Sequence, residues 1–309
     1  MKKVLAVLLC AVLFITAMAV SPGIALAAAA TPVPESMLGQ PFGGYATVLK
    51  GYTRVDASEY GFQWYIFNKD YKKFMMVGVD NDTVVAVYTD SPSLLAANSI
   101  NTKQTRDQLR QLLGEPVQYR MAGNTVYMMQ NADEKDVFDN GDYCTTVFYD
   151  KYNKMKVASV LTVKATYEEQ LIGKNVEMGD ALIAAYTRES FDLVNSARAI
   201  RKISVLKWDG SLAKLAIYRS TDMRDRDYFS HYSPDGASPA DYAKQMGIRY
   251  KKLGENISCG YKNAISAHEG FMNSKGHRDN VLYKSYKYLG TGVAYGGSRY
   301  INLTCNYKR

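Results

Sequence analysis

Two of the chain's three histidines lie in stretches whose residue types suit chemistry. His231 lies in residues 228–234, just after a predicted helix, and His277 follows Gly276, which permits a tight turn. Glu255 lies at a turn that enters a predicted strand. Two imidazoles and a carboxylate beside regular elements are suited to binding a divalent metal or to acid–base catalysis. From spacing alone, the simpler interpretation of scattered surface and supporting residues stays open.

The third histidine, His268, precedes Glu269, and a His-Glu pair opens the zinc-peptidase helix motif. That motif needs a second histidine at its fifth position, where this chain has Met272. We therefore expect His268 and Glu269 to face solvent on a helix. The sequence also lacks the Gly-x-Ser-x-Gly elbow of serine hydrolases and a glycine-rich phosphate loop.

The composition limits the class of protein. A chain of 309 residues that is 47% hydrophobic and 22% charged favours two globular domains and excludes collagen-like, coiled-coil and multi-span membrane proteins. The net charge of +8 comes without a dense basic block, so nucleic acid is not expected as a partner. A mildly cationic protein suits an anionic surface, such as a cell wall or lipid headgroups.

The first thirty residues have the pattern of an export signal. Lys2 and Lys3 precede an apolar run over residues 4–20, and small residues follow at 25–30. This pattern predicts a secretory signal peptide over residues 1–30, cleaved after Ala27 or Ala30. The alternative is an uncleaved anchor, because a run of 17 residues is at the lower limit for crossing a bilayer. Export places the protein outside the cell or in its envelope.

Export also affects the cysteines that follow the signal, since disulfides persist outside the cytosol. They are Cys144, Cys259 and Cys305. The last two lie in the C-terminal half and are the predicted pair. Their disulfide would close a loop of about 45 residues, with a stabilisation of about 4 kcal/mol in the chain-entropy model. The alternative is that all three are free thiols.

Residues 37–163 are predicted to form a domain of strands and turns. Residues 64–67 and 74–79 are predicted strands joined as a hairpin. Thr105 and Gln108 form a predicted capping box that opens a helix. Nothing in this domain groups acids, histidines or cysteines, so no catalytic site is expected in it.

This domain contains an internal echo. Leu38-Gly39-Gln40-Pro41 recurs as Leu113-Gly114-Glu115-Pro116, 75 residues later, and strand-like runs follow each copy. The echo predicts a duplicated α+β unit, and coincidence of a common turn sequence is the alternative. Residues 164–187 are a charged connector, predicted to be helical in part.

The C-terminal half changes to longer helices. An apolar face at Leu193, Val194 and Ala197 predicts one helix, and Asp209 is the predicted N-cap of the next. The tail over residues 289–307 predicts a hairpin with a glycine-rich turn.

The C-terminal half contains a series of ordered stretches, which are residues 193–198, 206–209, 222–223, 229–236, 254–257, 271–282 and 289–294, with the ending Cys305-Asn306-Tyr307. Through these stretches, residues 188–309 resemble the CAP superfamily, which includes the cysteine-rich secretory proteins, antigen 5 and plant pathogenesis-related proteins, and look most like its bacterial secreted branch. Through its Leu-Gly-x-Pro segments and the Trp64 hairpin, the domain at residues 37–163 resembles the associated domain found ahead of bacterial CAP modules.

The resemblance implies an α+β protein whose C-terminal domain is an α-β-α sandwich with a central cleft. The family's cleft holds two histidines and two glutamates in many eukaryotic members. His231, Glu255 and His277 match three of these by motif, and Ser274 stands in place of the second glutamate. This reduced set implies a candidate site for zinc or another divalent cation, with His231 and His277 as ligands and water completing the shell.

The resemblance favours a secreted, non-catalytic module that binds a lipid, peptide or cell-wall ligand. The alternative is a metal-dependent hydrolase or peptidase, with His231 and His277 as ligands and Glu255 as the base. A third interpretation is purely structural, with the histidines and Glu255 forming a hydrogen-bonded core of the cleft. A membrane is expected as a partner only through an uncleaved signal segment.

Overall fold

The first half of the chain forms strands backed by short helices. The structure is a computed structural model, and it describes residues 33–48, 50–122, 124–128, 134–299 and 301–309. The predicted signal peptide lies outside the described residues. The strands of this half are β1 (Arg54–Ala57), β2 (Gln63–Phe67), β3 (Met75–Asp80), β4 (Thr83–Thr89), β5 (Tyr119–Ala122), β6 (Thr125–Met128), β7 (Lys135–Asp139), β8 (Tyr143–Asp150) and β9 (Lys156–Lys164). The helices are α1 (Pro34–Met37), α2 (Gly43–Val48), α3 (Pro92–Leu95), α4 (Arg106–Leu113) and α5 (Ala165–Gln170).

Among the residues that the structure describes here, seven strands form one antiparallel sheet in the order β1-β2-β3-β4-β9-β8-β7, and β5 pairs with β6 in a separate hairpin. The predicted β2–β3 hairpin and the Thr105–Gln108 capping box are both present. Leu38 and Leu113 each lie at the end of a short helix. The duplication of the unit stays a prediction.

The second half of the chain is a layered arrangement of helices around a smaller sheet. Its helices are α6 (Asp180–Ile200), α7 (Gly210–Asp225), α8 (Pro239–Gln245), α9 (Ala264–Met272) and α10 (Lys275–Leu282). Its strands are β10 (Lys207–Trp208), β11 (Leu253–Cys259), β12 (Tyr288–Tyr295) and β13 (Ile301–Lys308), which pair in the order β10-β12-β13-β11. Asp209 caps α7 as predicted, and β12 with β13 forms the predicted hairpin. Helix α6 begins at Asp180, inside the stretch interpreted as a connector.

Two glycines allow α7 to lie directly on β12. A Cβ atom added to Gly292 would lie 2.3 Å from the backbone nitrogen of Ile217, and one on Gly290 would lie 2.1 Å from that of Ala213. Both contacts are with helix backbone, which cannot move aside as a flexible side chain would. The closeness of this helix–sheet contact therefore depends on the absence of a side chain at these positions.

We expect Gly292→Ala to destabilise the protein by about 2 kcal/mol or more, because α7 must move away from the sheet and loosen the packing around it. Gly210→Ala is the matched control, since a Cβ at Gly210 has no atom within 4 Å. Urea denaturation of both variants measures the difference. Equal free energies of unfolding for the two variants would contradict this account of the packing.

The two halves share one hydrophobic core. Trp64, Tyr88 and Leu161 from the seven-stranded sheet belong to the same buried cluster as Leu193 of α6 and Phe271 of α9. Polar contacts reinforce this interface at one position of α6. Asp192, which is 2% exposed, accepts hydrogen bonds from Arg54, Asn68 and Tyr71 at 2.6–2.8 Å. The described parts of both halves therefore pack as one body.

The expectation that His268 and Glu269 face solvent is wrong. Both lie on the buried face of α9 and are 4% and 6% exposed. The Oε1 atom of Glu269 accepts hydrogen bonds from Ser159 Oγ at 2.5 Å and Tyr88 OH at 3.4 Å, across the interface between the halves. The sequence pattern identified α9 as a helix, but the face of α9 that is buried depends on the sheet packed against it.

Ionisable groups surround Glu269 inside this interface. Burial raises the pKa of Glu269 to about 7 and that of Asp90 to about 6, and their mutual repulsion adds to the shift of Glu269. Burial, with the positive charges of Arg201 and Arg278 nearby, lowers the pKa of His268 to about 3. At neutral pH His268 is therefore uncharged, and Glu269 is close to the midpoint of its titration.

A folded-state pKa above the unfolded value means that protonation of Glu269 favours the folded state. Its contribution is present below about pH 4.5 and is lost as the pH rises through about 7. Ionisation of Glu269 should therefore lower the free energy of unfolding of the wild type between pH 5 and pH 8. Because a glutamine stays neutral, we expect this decrease to be smaller in Glu269→Gln, by on the order of 1–3 kcal/mol.

Urea denaturation at both pH values tests this, with exposed Glu177→Gln as the control. The comparison with wild type isolates Glu269, because His268 and Asp90 titrate in every variant. An unchanged pH dependence in Glu269→Gln would exclude a protonated Glu269 in the folded protein.

The predicted Cys259–Cys305 disulfide is also wrong, and the register of β11 and β13 gives the reason. Cys305 pairs with Asn256, whereas Cys259 pairs with Asn302. The two cysteines are thus offset by three residues, about 10 Å along the strands, beyond the reach of a disulfide. An odd offset also points their side chains to opposite faces of the sheet. Both are free thiols, as is Cys144.

Candidate functional site

His231, Glu255 and His277 come from three separate elements. His231 lies in the loop after α7, Glu255 lies on β11, and His277 lies in the first turn of α10. The Nδ1 atom of His231 lies 2.9 Å from Oε1 of Glu255. The structure thus brings two of the predicted site residues into direct contact.

A buried arginine organises this contact. Arg219 on α7 is fully buried, and its Nε donates to Oε2 of Glu255 at 3.3 Å. Its Nη2 donates to the backbone oxygens of Ser230 at 2.8 Å and His231 at 3.1 Å, and its Nη1 donates to Tyr228 OH at 2.6 Å. One guanidinium therefore holds both the loop that carries His231 and the carboxylate that contacts it.

Sequence reasoning missed Arg219, although a signal for it exists. Leu212, Leu215, Ala216 and Met223 form the predicted apolar face of α7, and position 219 falls on that same face. A charged residue on a buried helix face needs a partner inside the protein, and here the partner is Glu255.

Two asparagines connect β11 with α10. Asn256 Nδ2 donates to the backbone oxygen of His277 at 3.0 Å, and Asn280 Nδ2 donates to that of Glu255 at 3.2 Å. The two side chains also bond each other at 2.9 Å. These amides fix the position of His277 relative to Glu255 and were also missed from the sequence.

The two imidazoles have different surroundings. The His231 side chain is 48% exposed, whereas His277 is partly buried and packs edge-on against Phe271, with 5.0 Å between ring centroids. Burial lowers the pKa of His277, and the nearby His231 lowers it further. His277 is therefore neutral at physiological pH.

Ser274 lies three residues before His277 in the chain. Ser274 precedes α10 without a side-chain capping bond, and it lines a cavity of about 270 Å³ with Lys135 and Phe148 of the N-terminal half. Neither His231 nor His277 lines this cavity as the structure describes it. The residue in the position of the family's second glutamate thus borders a cavity that both halves line.

The donor set does not fit a resident zinc ion. Structural zinc takes four protein ligands and catalytic zinc takes three. Within the described residues, no group of three or more His, Cys, Asp and Glu is arranged to hold a metal. Glu255 is engaged by Arg219 and supports His231, so two imidazoles remain as ligands.

Two family models match the chain. Residues 50–172 match the CAP-associated N-terminal domain, and residues 191–307 match the cysteine-rich secretory protein family, CAP. The chain carries a CAP domain behind a CAP-associated N-terminal domain. The α+β fold with a CAP domain behind a second domain is confirmed by solved structures.

One similar solved structure is an extracellular protein containing an SCP domain from Bacillus anthracis. The match covers 94% of this chain and 99% of that protein's chain, with a TM-score of 0.76 and 22% sequence identity. The match to a cysteine-rich secretory protein from Staphylococcus aureus covers 90% of this chain and 97% of that protein's chain, with a TM-score of 0.62 and 18% sequence identity. At these identities the structures establish the fold.

Curated relatives are also bacterial. The protein named "Uncharacterized membrane protein YlbC", from Bacillus subtilis, is 25% identical over 258 residues, which cover 78% of this chain and 74% of YlbC. The uncharacterized protein YkwD of the same organism is 39% identical over 116 residues, which are 38% of this chain and 45% of YkwD. In the part of this chain that the structure describes, no helix is long and apolar enough to cross a membrane.

We expect Arg219→Met to destabilise this CAP protein by about 3–5 kcal/mol, because it leaves the buried Glu255 carboxylate without its cation. Arg224→Met on the same helix is the control, since Arg224 is partly exposed and pairs with exposed Asp225. Urea denaturation compares the two. A loss at Arg219 no greater than that at Arg224 would show that the buried pair does not stabilise the fold.

Proposed function

We propose that this CAP protein is exported and acts outside the cytoplasm as a non-catalytic binding module, whose cleft takes a lipid, peptide or cell-wall ligand. The predicted signal peptide at residues 1–30 supports export. The extracellular relative that covers 94% of this chain supports the same location.

The engagement of Glu255 carries the proposal. A hydrolase would need a carboxylate with a free oxygen to activate water. Both oxygens of Glu255 have partners, Oε1 with His231 and Oε2 with Arg219, and its side chain is 3% exposed. These contacts favour a role for Glu255 as a fixed part of the wall of a binding cleft over a role as a catalytic base.

The surface around His231 supports ligand binding. Phe229 and Tyr232, two residues before and one after His231 in the same loop, are 41% and 62% exposed. Exposed aromatic rings beside an imidazole offer flat apolar contact together with hydrogen-bonding groups. Arg219 holds the backbone of this loop through hydrogen bonds to Ser230 and His231. A loop that is already fixed loses little conformational entropy when a ligand binds to it.

Binding of solubilised cell-wall fragments and of phospholipid vesicles to the protein tests the proposal. We expect one of these to bind, and Tyr232→Ala with His231→Ala to weaken that binding about tenfold or more, since both groups face the ligand. Tyr52→Ala, at an exposed tyrosine of the N-terminal domain, is the control. No binding of either material, or equal losses in the control, would contradict the proposal.

A metal-dependent hydrolase is the second candidate, favoured by one observation. Glu255 holds Nδ1 of His231 and leaves Nε2 available, as a supporting carboxylate does for a metal-bound histidine. Calorimetric titration of Zn²⁺ distinguishes the two functions. Tight stoichiometric binding that is lost in His231→Ala/His277→Ala would favour the hydrolase, and its absence is the expected result.

A further inference from the structure

The face of the seven-stranded sheet that points away from the CAP domain carries a groove of about 390 Å³, within the size range of small-ligand sites. Its floor is a row of paired residues across four neighbouring strands. Val87 of β4 lies opposite Thr162 of β9, Thr162 lies opposite Thr145 of β8, and Thr145 lies opposite Phe138 of β7. All four line the groove. Side chains alternate along each strand, so Tyr88 and Leu161, which adjoin Val87 and Thr162, point into the core shared with the CAP domain. Phe148, three residues after Thr145, points into the same core.

The floor combines two hydroxyl groups with apolar ends. Thr145 and Thr162 lie with their Oγ1 atoms 3.1 Å apart, so one hydroxyl donates to the other. That single bond leaves one hydroxyl hydrogen and several acceptor lone pairs available to a ligand. Val87 and Phe138 flank the pair. A ligand that carries polar groups over the two threonines and small apolar groups on either side of them suits this floor.

Residues from two helices complete the lining of the groove. Glu35 lies in α1, Leu38 follows α1, and Leu113 ends α4. Tyr143 also lines the groove, and its hydroxyl would lie only 3.2 Å from a Cβ placed on Gly39. The tyrosine therefore reaches across to the segment that follows α1. The first residues of the two copies of the Leu-Gly-x-Pro echo, Leu38 and Leu113, thus both line this groove.

The charge of the groove is opposite to that of the protein. The chain carries 38 basic and 30 acidic residues, yet the described lining residues include the acids Glu35 and Asp139 and no lysine or arginine. Asp139 is paired with Arg120 Nη2 at 2.8 Å. Glu35 accepts from Ser99 N at 2.9 Å and Ser99 Oγ at 3.0 Å, which are neutral donors. The groove therefore disfavours anions and leaves a negative charge at Glu35 for a cationic group.

We propose that this groove binds a short extended peptide through its free amino terminus, with the ammonium at Glu35 and the peptide backbone over Thr145 and Thr162. Four neighbouring strands span about 14 Å, which matches the length of about four extended residues. The volume of about 390 Å³ favours small side chains on the peptide. This site is separate from the His231 cleft and does not depend on the function proposed for it.

Chemical-shift titration of ¹⁵N-labelled residues 31–309 tests the proposal, with tetra-alanine amide and its N-acetylated form as probes. We expect the free amine to bind saturably, with shifts centred on β4, β9 and β8, and acetylation to weaken binding about tenfold through loss of the ammonium–carboxylate contact. Glu35→Gln should remove the difference between the two probes. Thr145→Val/Thr162→Val should weaken both probes, and exposed Glu177→Gln should change neither.

Several outcomes would overturn the proposal. They are the absence of saturable binding at millimolar peptide, a preference for the acetylated probe that Glu35→Gln does not change, and saturation of the same amides by laurate but not by peptide. His231→Ala/His277→Ala should leave peptide binding unchanged. Loss of binding in that variant would assign the peptide to the CAP cleft instead.

Discussion

The buried ion pair between Arg219 and Glu255 is the constraint on which the contact between Glu255 and His231 depends. Arg219 lies on α7, which packs against the sheet at Gly290 and Gly292. Its side chain bonds Glu255 on the sheet and the backbone oxygen of His231 in the loop after α7. A fully buried guanidinium is stable only with its donors satisfied, so the loop carbonyls and the carboxylate must converge on it. The position of His231 is therefore a consequence of charge burial as much as of chain connectivity.

The same physical rule operates at the interface between the two halves. Glu269 enters this interface from α9, where Ser159 and Tyr88 supply hydrogen bonds and burial disfavours its charge. Asp150 of the N-terminal half accepts from Arg278 of α10 at 2.8 Å, and Arg278 is the residue after His277. The N-terminal domain thus contacts the helix that carries one of the cleft histidines. This explains why the two domains share a core instead of meeting through a mobile linker.

Local features were predictable from the sequence because they depend on neighbouring residues. The capping box at Thr105 and Gln108, the Asp209 cap and the tail hairpin each follow from side chains a few positions apart. The cleft residues His231, Glu255 and His277 came from ordered motifs that many family members share. The burial of His268 and Glu269 was not predictable in this way, because the pattern of α9 does not reveal which neighbour covers it.

The sequence by itself determined the α+β class, several local elements and the histidine that contacts Glu255, His231. Tertiary structure decided which cation pairs with Glu255. Arg219 lies 36 positions earlier in the chain and contacts Glu255 only when α7 packs on the sheet. It also decided that Cys259 and Cys305 stay apart, because the register of β11 on β13 sets both their distance and their faces. The row from Val87 to Phe138 likewise exists only through strand pairing. Each of these depends on contacts between residues distant in sequence, which short-range patterns do not encode.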